Sequence, residues 1–337
     1  MGIKNNVILI VSDEFDLSTN MVIEWLIHFN ETFFRINAED EVLIEYVTIS
    51  NSESDFKITV RDKEVSLSDV KSCWFRRDLF SLDKSFNIKF IETAIRENST
   101  ANKLLNEFLS SEYIKLKEYF VFLLENSLDG ICLGNPKKSS DNKLIHLEVA
   151  KRLGLNIPDT SIARDITTLN HKGANIITKA IADFPFLTIW ENEDKHNFLS
   201  YTTLVDDFEF KSSHPSLYQE EIAKAIELRI FYICGEFYAM AIFSQNNPNT
   251  SLDFRHYDVN NPNKTVPYSL PGDIKTQLQN FMKTTNHNTG SIDMLVDTNG
   301  KYIFLEMNPS GQFGMVSIPC NYHIEKKIAK VLSNNNR

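Results

Sequence analysis

The sequence predicts a chain of mixed α/β and α+β character, and three observations carry that prediction. A continuous apolar run, Val7-Ile8-Leu9-Ile10-Val11, is followed by polar residues and then a helix-like segment. A long helical pattern extends from Glu92 to Leu124. Later segments alternate around Gly235 and around Asn299-Gly300, as antiparallel hairpins do. With 337 residues the chain is too long for one small core, and breaks in pattern divide it at 1–125, 126–215 and 216–337.

The elements follow in order. The run from Val7 to Val11 reads as a strand buried on both faces. Met21 to Leu26 begins a helix that Ser18 is placed to cap, and Phe33 to Asn37 forms the next strand. No G-x-G-x-x-G follows the first strand, so dinucleotide binding is not indicated despite the Rossmann-like order. Leu133-Gly134-Asn135-Pro136 marks a turn-rich boundary, and Asp141 to Leu153 is a helix stopped by Gly154. Asn175 to Lys179 reads as a strand. Phe186 to Trp190 and Phe198 to Val205 form a hairpin around a charged tip, Glu191 to Lys195. Two further hairpins pair Glu227–Cys234 with Glu236–Phe243, and Ser291–Val296 with Tyr302–Asn308.

Composition excludes several classes of function. A net charge of −10 argues against general nucleic-acid binding, which needs clustered Lys and Arg. No apolar run approaches the roughly 20 residues that span a bilayer, and the first residues lack the pattern of a signal peptide. The four cysteines (Cys73, Cys132, Cys234 and Cys320) form no C-x-x-C and read as reduced thiols of a cytoplasmic protein. His146, His171 and His256 have no metal-like spacing. There is no Walker A sequence and no G-x-S-x-G, which disfavours a P-loop or an acyl-enzyme serine.

The last hairpin is the most informative segment. If Asn299-Gly300 is a two-residue turn, Thr298 pairs with Lys301 and, carried back along the ladder, Asp293 stands opposite Glu306. Asn308, two residues on, shares the face of Glu306. Opposed carboxylates repel, and a divalent cation would remove that penalty. Mg²⁺ suits one or two carboxylates, a carbonyl-type oxygen and substrate phosphates, so Asp293, Glu306 and Asn308 are candidate metal ligands; a solvated polar face is the other account. No EF-hand loop occurs.

Glu306-Met307-Asn308-Pro309-Ser310-Gly311-Gln312-Phe313, preceded by Gly290-Ser291-Ile292-Asp293, resembles the metal-binding end of ATP-grasp enzymes. In its E-x-N-P-x-G-Q-F form it resembles the graspetide synthetases, the microviridin-type peptide ligases. Other stretches agree in order. Ser12 to Leu26, Phe34-Arg35-Ile36-Asn37 and Trp74-Phe75-Arg76-Arg77 resemble the amino-terminal domain of that group. Tyr218-Gln219-Glu220-Glu221-Ile222, followed by Glu227-Leu228-Arg229, resembles the adenine hinge and ribose contact, and Ser251 to Arg255 resembles a D-x-R tract. Within the group the sequence is most similar to the maturases of grasp-with-spasm peptide systems. The fold implied is ATP-grasp: a Rossmann-like amino-terminal domain, a central lid and a carboxy-terminal catalytic domain.

The resemblance implies roles for single residues. Lys143 and Lys179 would lie on the phosphates, with an exposed helix lysine and a strand-end lysine as the respective alternatives. Backbone groups from Gln219 through Glu220 and Glu221 to Ile222 would read adenine, and Glu227 would accept from ribose hydroxyls. Glu221 stands where related hinges often carry an aromatic residue, which leaves open which glutamate faces the nucleotide. Arg229 and Arg255 would handle anionic groups, against a plain salt bridge such as Arg255 with Asp253; Asp253 is also a candidate base. Arg76 and Arg77 either line the acceptor side of the active site or pair with acids, and Trp74 packs in the core. Cofactors implied are ATP and Mg²⁺, as two ions.

The implied substrate is a ribosomally made precursor peptide, with a leader and a core. Its Asp or Glu side chains would be joined to Ser or Thr as esters, or to Lys as amides. The hairpin from Phe186 to Val205 is a candidate platform for the leader. Neither nucleic acid nor membrane is expected as a partner, and a homodimer is compatible with the group. The alternative is a ligase acting on a free amino acid or a protein terminus. A nucleotide-binding scaffold without turnover is a third possibility, against which the intact Asp293, Glu306 and Asn308 set argues.

Overall fold

The computed structural model describes residues 6–77, 99–136, 142–165, 175–182, 187–191, 194–198, 202–205, 214–245, 252 and 262–333. The chain divides into two compact units, residues 1–139 with 325–337, and residues 140–324.

In the first unit, β1 (Val7–Ser12), β2 (Thr32–Asn37), β6 (Val70–Phe75) and β7 (Cys132–Leu133) form a parallel sheet in the order β2-β1-β6-β7. The apolar run that named β1 is fully enclosed from Ile8 to Val11, as parallel strands covered on both faces are. Helix α1 (Leu17–His28) links β1 to β2. Its cap is Asp16, whose carboxylate accepts from the Thr19 N–H at 3.2 Å, and Ser18 lies inside the first turn. A carboxylate serves this position better because it also meets the amino-terminal end of the helix dipole. A second, antiparallel sheet contains β3 (Val42–Ile49), β4 (Ser54–Val60) and β5 (Lys63–Ser66). Helix α2 (Ser99–Ser127) supplies Phe120, Val121 and Leu124 to the core that Leu9, Ile36, Phe56 and Phe75 share.

The Trp74-Phe75-Arg76-Arg77 tract ends β6. Trp74 is buried. Arg76 Nε lies 3.2 Å from Asp16, and Arg77 lies 2.9 Å from Asp13 and 3.0 Å from Asp16. The arginines therefore pair with the acids that follow β1, one of the two expectations for them.

Among its described residues the second unit holds three sheets. The first is antiparallel, in the order β12-β9-β13-β8, from β8 (Thr160–Ala163), β9 (Ile176–Lys179), β12 (Thr203–Leu204) and β13 (Ser216–Glu220). The hairpin between them is β10 (Leu187–Glu191) with β11 (Asp194–Phe198). Of the charged stretch expected as the tip, Glu191 ends β10 while Asp194 and Lys195 begin β11, and Thr203–Leu204 leaves the hairpin to pair with β9. Backbone hydrogen bonding tolerates polar side chains that a hydrophobic pattern reads as a loop.

The third sheet is antiparallel, in the order β16-β15-β14-β17-β18. It consists of β14 (Lys224–Ile233), β15 (Glu236–Phe243), β16 (Lys264–Tyr268), β17 (Thr289–Asp297) and β18 (Tyr302–Asn308). Alternation divides its two faces. Leu228, Ile230, Ile292, Met294, Phe304 and Met307 face a core completed by α3 (Lys143–Arg152) and α4 (Gly272–Thr284). Helix α4 contributes Ile274, Leu278, Phe281 and Met282, which share one face of a 3.6-residue period. Helix α5 (Gly314–Cys320) follows, and α6 (Ile324–Leu332) carries the chain back into the first unit.

Candidate functional site

The face of the five-stranded sheet opposite that core carries the candidate metal residues. Arg229 of β14 pairs in register with Asp293 of β17, and Asp293 with Glu306 of β18. A cation and two carboxylates therefore lie in one row across three adjacent strands. The next row on the same face is Phe231, Ser291 and Asn308.

The register agrees with the sequence expectation, but the turn that produces it does not. The loop has three residues rather than two: Val296 pairs with Tyr302, and the Asp297 N–H bonds the Lys301 carbonyl at 3.0 Å. The Asp297 carboxylate accepts from the N–H groups of Asn299 (2.9 Å) and Lys301 (2.7 Å), which holds a turn one residue longer than Asn-Gly alone selects. Gly300 closes it at φ 81°, in the left-handed region where glycine has no steric penalty. Continued evenly, this ladder would set Leu305, not Glu306, opposite Asp293. A bulge intervenes: Met294 pairs with Phe304 and Asp293 with Glu306, leaving Leu305 as the extra residue. Such bulges re-aim side chains beside active sites.

The loop after β18 is seated by close packing. A Cβ at Gly311 would come within 2.2 Å of the Ser291 side chain, so only glycine fits against the second row. The Gly311 N–H bonds the Asn308 carbonyl at 3.1 Å, and the Ser310 N–H bonds the Asn308 carboxamide oxygen at 3.0 Å, which orients that side chain. Asp293 is ion-paired with Arg229. Lys143, at the start of α3, stands 3.4 Å from Glu306. Opposed carboxylates with a carboxamide on the adjacent row form a hard, all-oxygen donor set of the kind Mg²⁺ takes, so these residues fit the ion.

A cavity of about 160 Å³ opens beside this row, wholly within the second unit. It runs from Asp293 and Glu306, past Glu227 and Lys179, to the segment Gln219–Ile222. These residues are distant in sequence, and the fold brings them to one space. Within the segment, side chains hold neighbouring chain. Gln219 donates to the Thr160 hydroxyl at 2.8 Å, Glu220 accepts from the Asp159 N–H at 3.1 Å, and Glu221 accepts from the Asn175 carboxamide at 2.8 Å. Both glutamates line the cavity while each also holds neighbouring chain. Arg255 and Asp253 lie outside the described residues.

Lys224 also lines the cavity and escaped sequence reasoning. Its ammonium bonds Glu227 Oε1 at 2.8 Å and the Leu252 carbonyl at 3.0 Å. The Ser244 hydroxyl donates to the same Glu227 oxygen at 2.6 Å. Lysine and glutamate three apart on a strand face opposite ways, so the spacing concealed their contact. His146 is buried against Phe281 and His287, away from this face. Among the described residues no helix is long and apolar enough to cross a membrane.

No protein-family model and no curated protein matches the chain. Solved structures do. A Chryseobacterium gregarium RiPP-associated ATP-grasp ligase, in complex with ADP and a leader and core peptide, is 23% identical, with a TM-score of 0.73 over 98% of each chain. The macrocyclase MdnC of Microcystis aeruginosa, bound with its precursor peptide MdnA, is 25% identical, with a TM-score of 0.70 over 97% of this chain and 99% of that one. The ATP-grasp ligase PsnB, complexed with a minimal precursor, Mg and ADP, is 15% identical, with a TM-score of 0.69 over 100% and 99%. A likeness over almost the full length of both partners gives the chain the ATP-grasp fold.

Proposed function

From a chain with the fold of these ligases, we propose an ADP-forming peptide ligase that joins carboxylate side chains of a ribosomal precursor peptide to Ser or Thr hydroxyls, or to Lys amines, closing macrocycles. The observation that carries the proposal is the convergence, in one cavity, of Lys179, the Gln219–Ile222 segment and Glu227 with the paired carboxylates Asp293 and Glu306. Three of the structures that this fold matches were solved with peptide, and two of those with ADP as well.

ATP would supply the phosphoryl group and Mg²⁺, as two ions, would neutralise its charge. In the first step a substrate carboxylate oxygen attacks the terminal phosphorus and ADP leaves, giving an acyl phosphate. A hydroxyl or amine of the same peptide then attacks the acyl carbon; phosphate leaves and a proton is lost. Asp293, Glu306 and Asn308 are the proposed metal ligands, with Arg229 holding Asp293 in place. The main chain near Ile222 would meet adenine and Glu227 the ribose. Lys179 and Lys143 are assigned to the phosphates; for Lys143 this means exchanging Glu306 for a stronger anion. Arg229 and Arg255 are proposed to stabilise charge on the transferring group, since a fixed guanidinium needs little reorganisation. Asp253 is the candidate base. The four cysteines form no disulfide, which favours the reducing cytoplasm as its place of action.

Intact-mass analysis of a short precursor peptide encoded beside this gene, incubated with the protein, ATP and Mg²⁺, tests the proposal. Loss of one water per link is the expected result, reversed by mild alkali for esters and resistant to it for amides. An unchanged peptide, with ATP consumed only when free amino acids are supplied, overturns the peptide substrate and points to an amino-acid ligase.

A further inference from the structure

We propose that Lys224 is a positioning residue for nucleoside recognition. Its ammonium holds the Glu227 carboxylate in the orientation that takes the ribose hydroxyls, and so sets a preference for ribonucleotides over deoxyribonucleotides. The proposal rests on the assignment of the cavity to ATP and deepens it.

The geometry begins with an irregularity in β14. Lys224 pairs with Asp297, but Ile226 pairs with Val296, so Ala225 is an extra residue in the ladder. Without it, Lys224 and Glu227 would stand on opposite faces of the sheet. With it, both turn into the cavity: each is under one-tenth exposed and Nζ lies 2.8 Å from Oε1, while Ala225 itself is turned out to solvent. This bulge and the one at Leu305 thus re-aim side chains into the same space.

Glu227 Oε1 receives two donors, Lys224 Nζ and the Ser244 hydroxyl. Gln245 in turn donates to the Ser244 oxygen at 3.4 Å. Two converging donors fix both the rotamer and the plane of the carboxylate. The lysine's bond to the Leu252 carbonyl anchors the ammonium from a second direction.

Stability alone does not account for the arrangement. Desolvating two charges costs about as much as their attraction returns, and an apolar pair of similar volume serves a core equally well. Recognition does account for it. A carboxylate that must accept from ribose hydroxyls beside a polyanionic triphosphate has to stay ionised and aimed. A buried ammonium on its other side keeps it so.

The test compares dissociation constants, in Mg²⁺, for ATP, 2′-deoxyATP and 3′-deoxyATP. Wild type is expected to bind ATP about 10-fold or more tightly than the analogue lacking the hydroxyl that Glu227 accepts, the usual worth of a hydrogen bond to a charged group. In Lys224→Met the two constants should converge to within about twofold, through weakened ATP binding and unchanged deoxynucleotide binding. Ser244→Ala removes the second donor without stranding a charge, so it carries the test if Lys224→Met does not fold; its ratio should fall by about threefold. An unchanged ratio in a folded variant, or an equal weakening for all three nucleotides, overturns the proposal. Wild type that binds all three equally also overturns it, while leaving the cavity assigned to ATP. Wild type that binds no nucleotide overturns that assignment itself.

Discussion

Asp293 and Glu306 face each other across a ladder where like charges repel; Arg229 pairs with Asp293 and Lys143 with Glu306. A pair so arranged is costly unless something uses it. Glu306→Gln and Asn308→Ala should each lower Mg²⁺-dependent turnover by about 100-fold or more, in the range found for removal of one group that stabilises developing charge. Melting temperatures should stay near that of the wild type, because neither side chain belongs to the apolar core on the other face. ADP release measured over a range of Mg²⁺ checks both; full activity in both variants removes the metal assignment. At this scale residue types and a spacing of two were legible in sequence. The Lys224–Glu227 pair was not, since contacts that depend on an inserted residue leave no period to detect.

At the scale of elements, the β17–β18 hairpin shows how a correct register can arise from a different turn. The expected two-residue turn and the observed three-residue turn differ by one position in pairing, and the bulge at Leu305 restores it. Asp297 organises the turn, and its hydrogen bonds from the Lys301 and Asn299 N–H groups hold its carboxyl below the usual carboxylate range. The folded state therefore prefers the ionised form. That stabilisation is complete above the unfolded value, about 3.9, and is lost as pH falls through the lower folded value. Asp297→Ala should melt at a lower temperature than wild type at neutral pH, with the gap closing below about pH 4. Thermal unfolding of both proteins across that range reads the difference, and a gap that persists unchanged into acid counts against the turn.

Across the whole molecule the cavity belongs to one compact unit, residues 140–324. Ligand that binds only folded protein stabilises it by about 2.7 kcal/mol at 100 times its dissociation constant. Mg²⁺ with ATP should therefore slow amide hydrogen exchange in β9, β13, β14, β17 and β18, and leave the β3-β4-β5 sheet of the other unit unaffected. Uniform protection of both units, or none, contradicts a nucleotide site confined to this cavity.

The strands β1, β14 and β17, the helix α3 and the opposition of Asp293 to Glu306 were all readable from the chain, because hydrophobic period and turn chemistry act between near neighbours. Short motifs also singled out Gln219–Ile222, Asp293 and Glu306, which the fold brings to one cavity. Long-range pairing was decided elsewhere. Thr203–Leu204 joins β9 rather than the hairpin before it, and Arg76 with Arg77 turns to Asp13 and Asp16. The bulges at Ala225 and Leu305, which aim the cavity's charged groups, also belong to the tertiary structure. A bulge depends on what the neighbouring strands and the packed core will accept, and that energy is not written in any local pattern of residues.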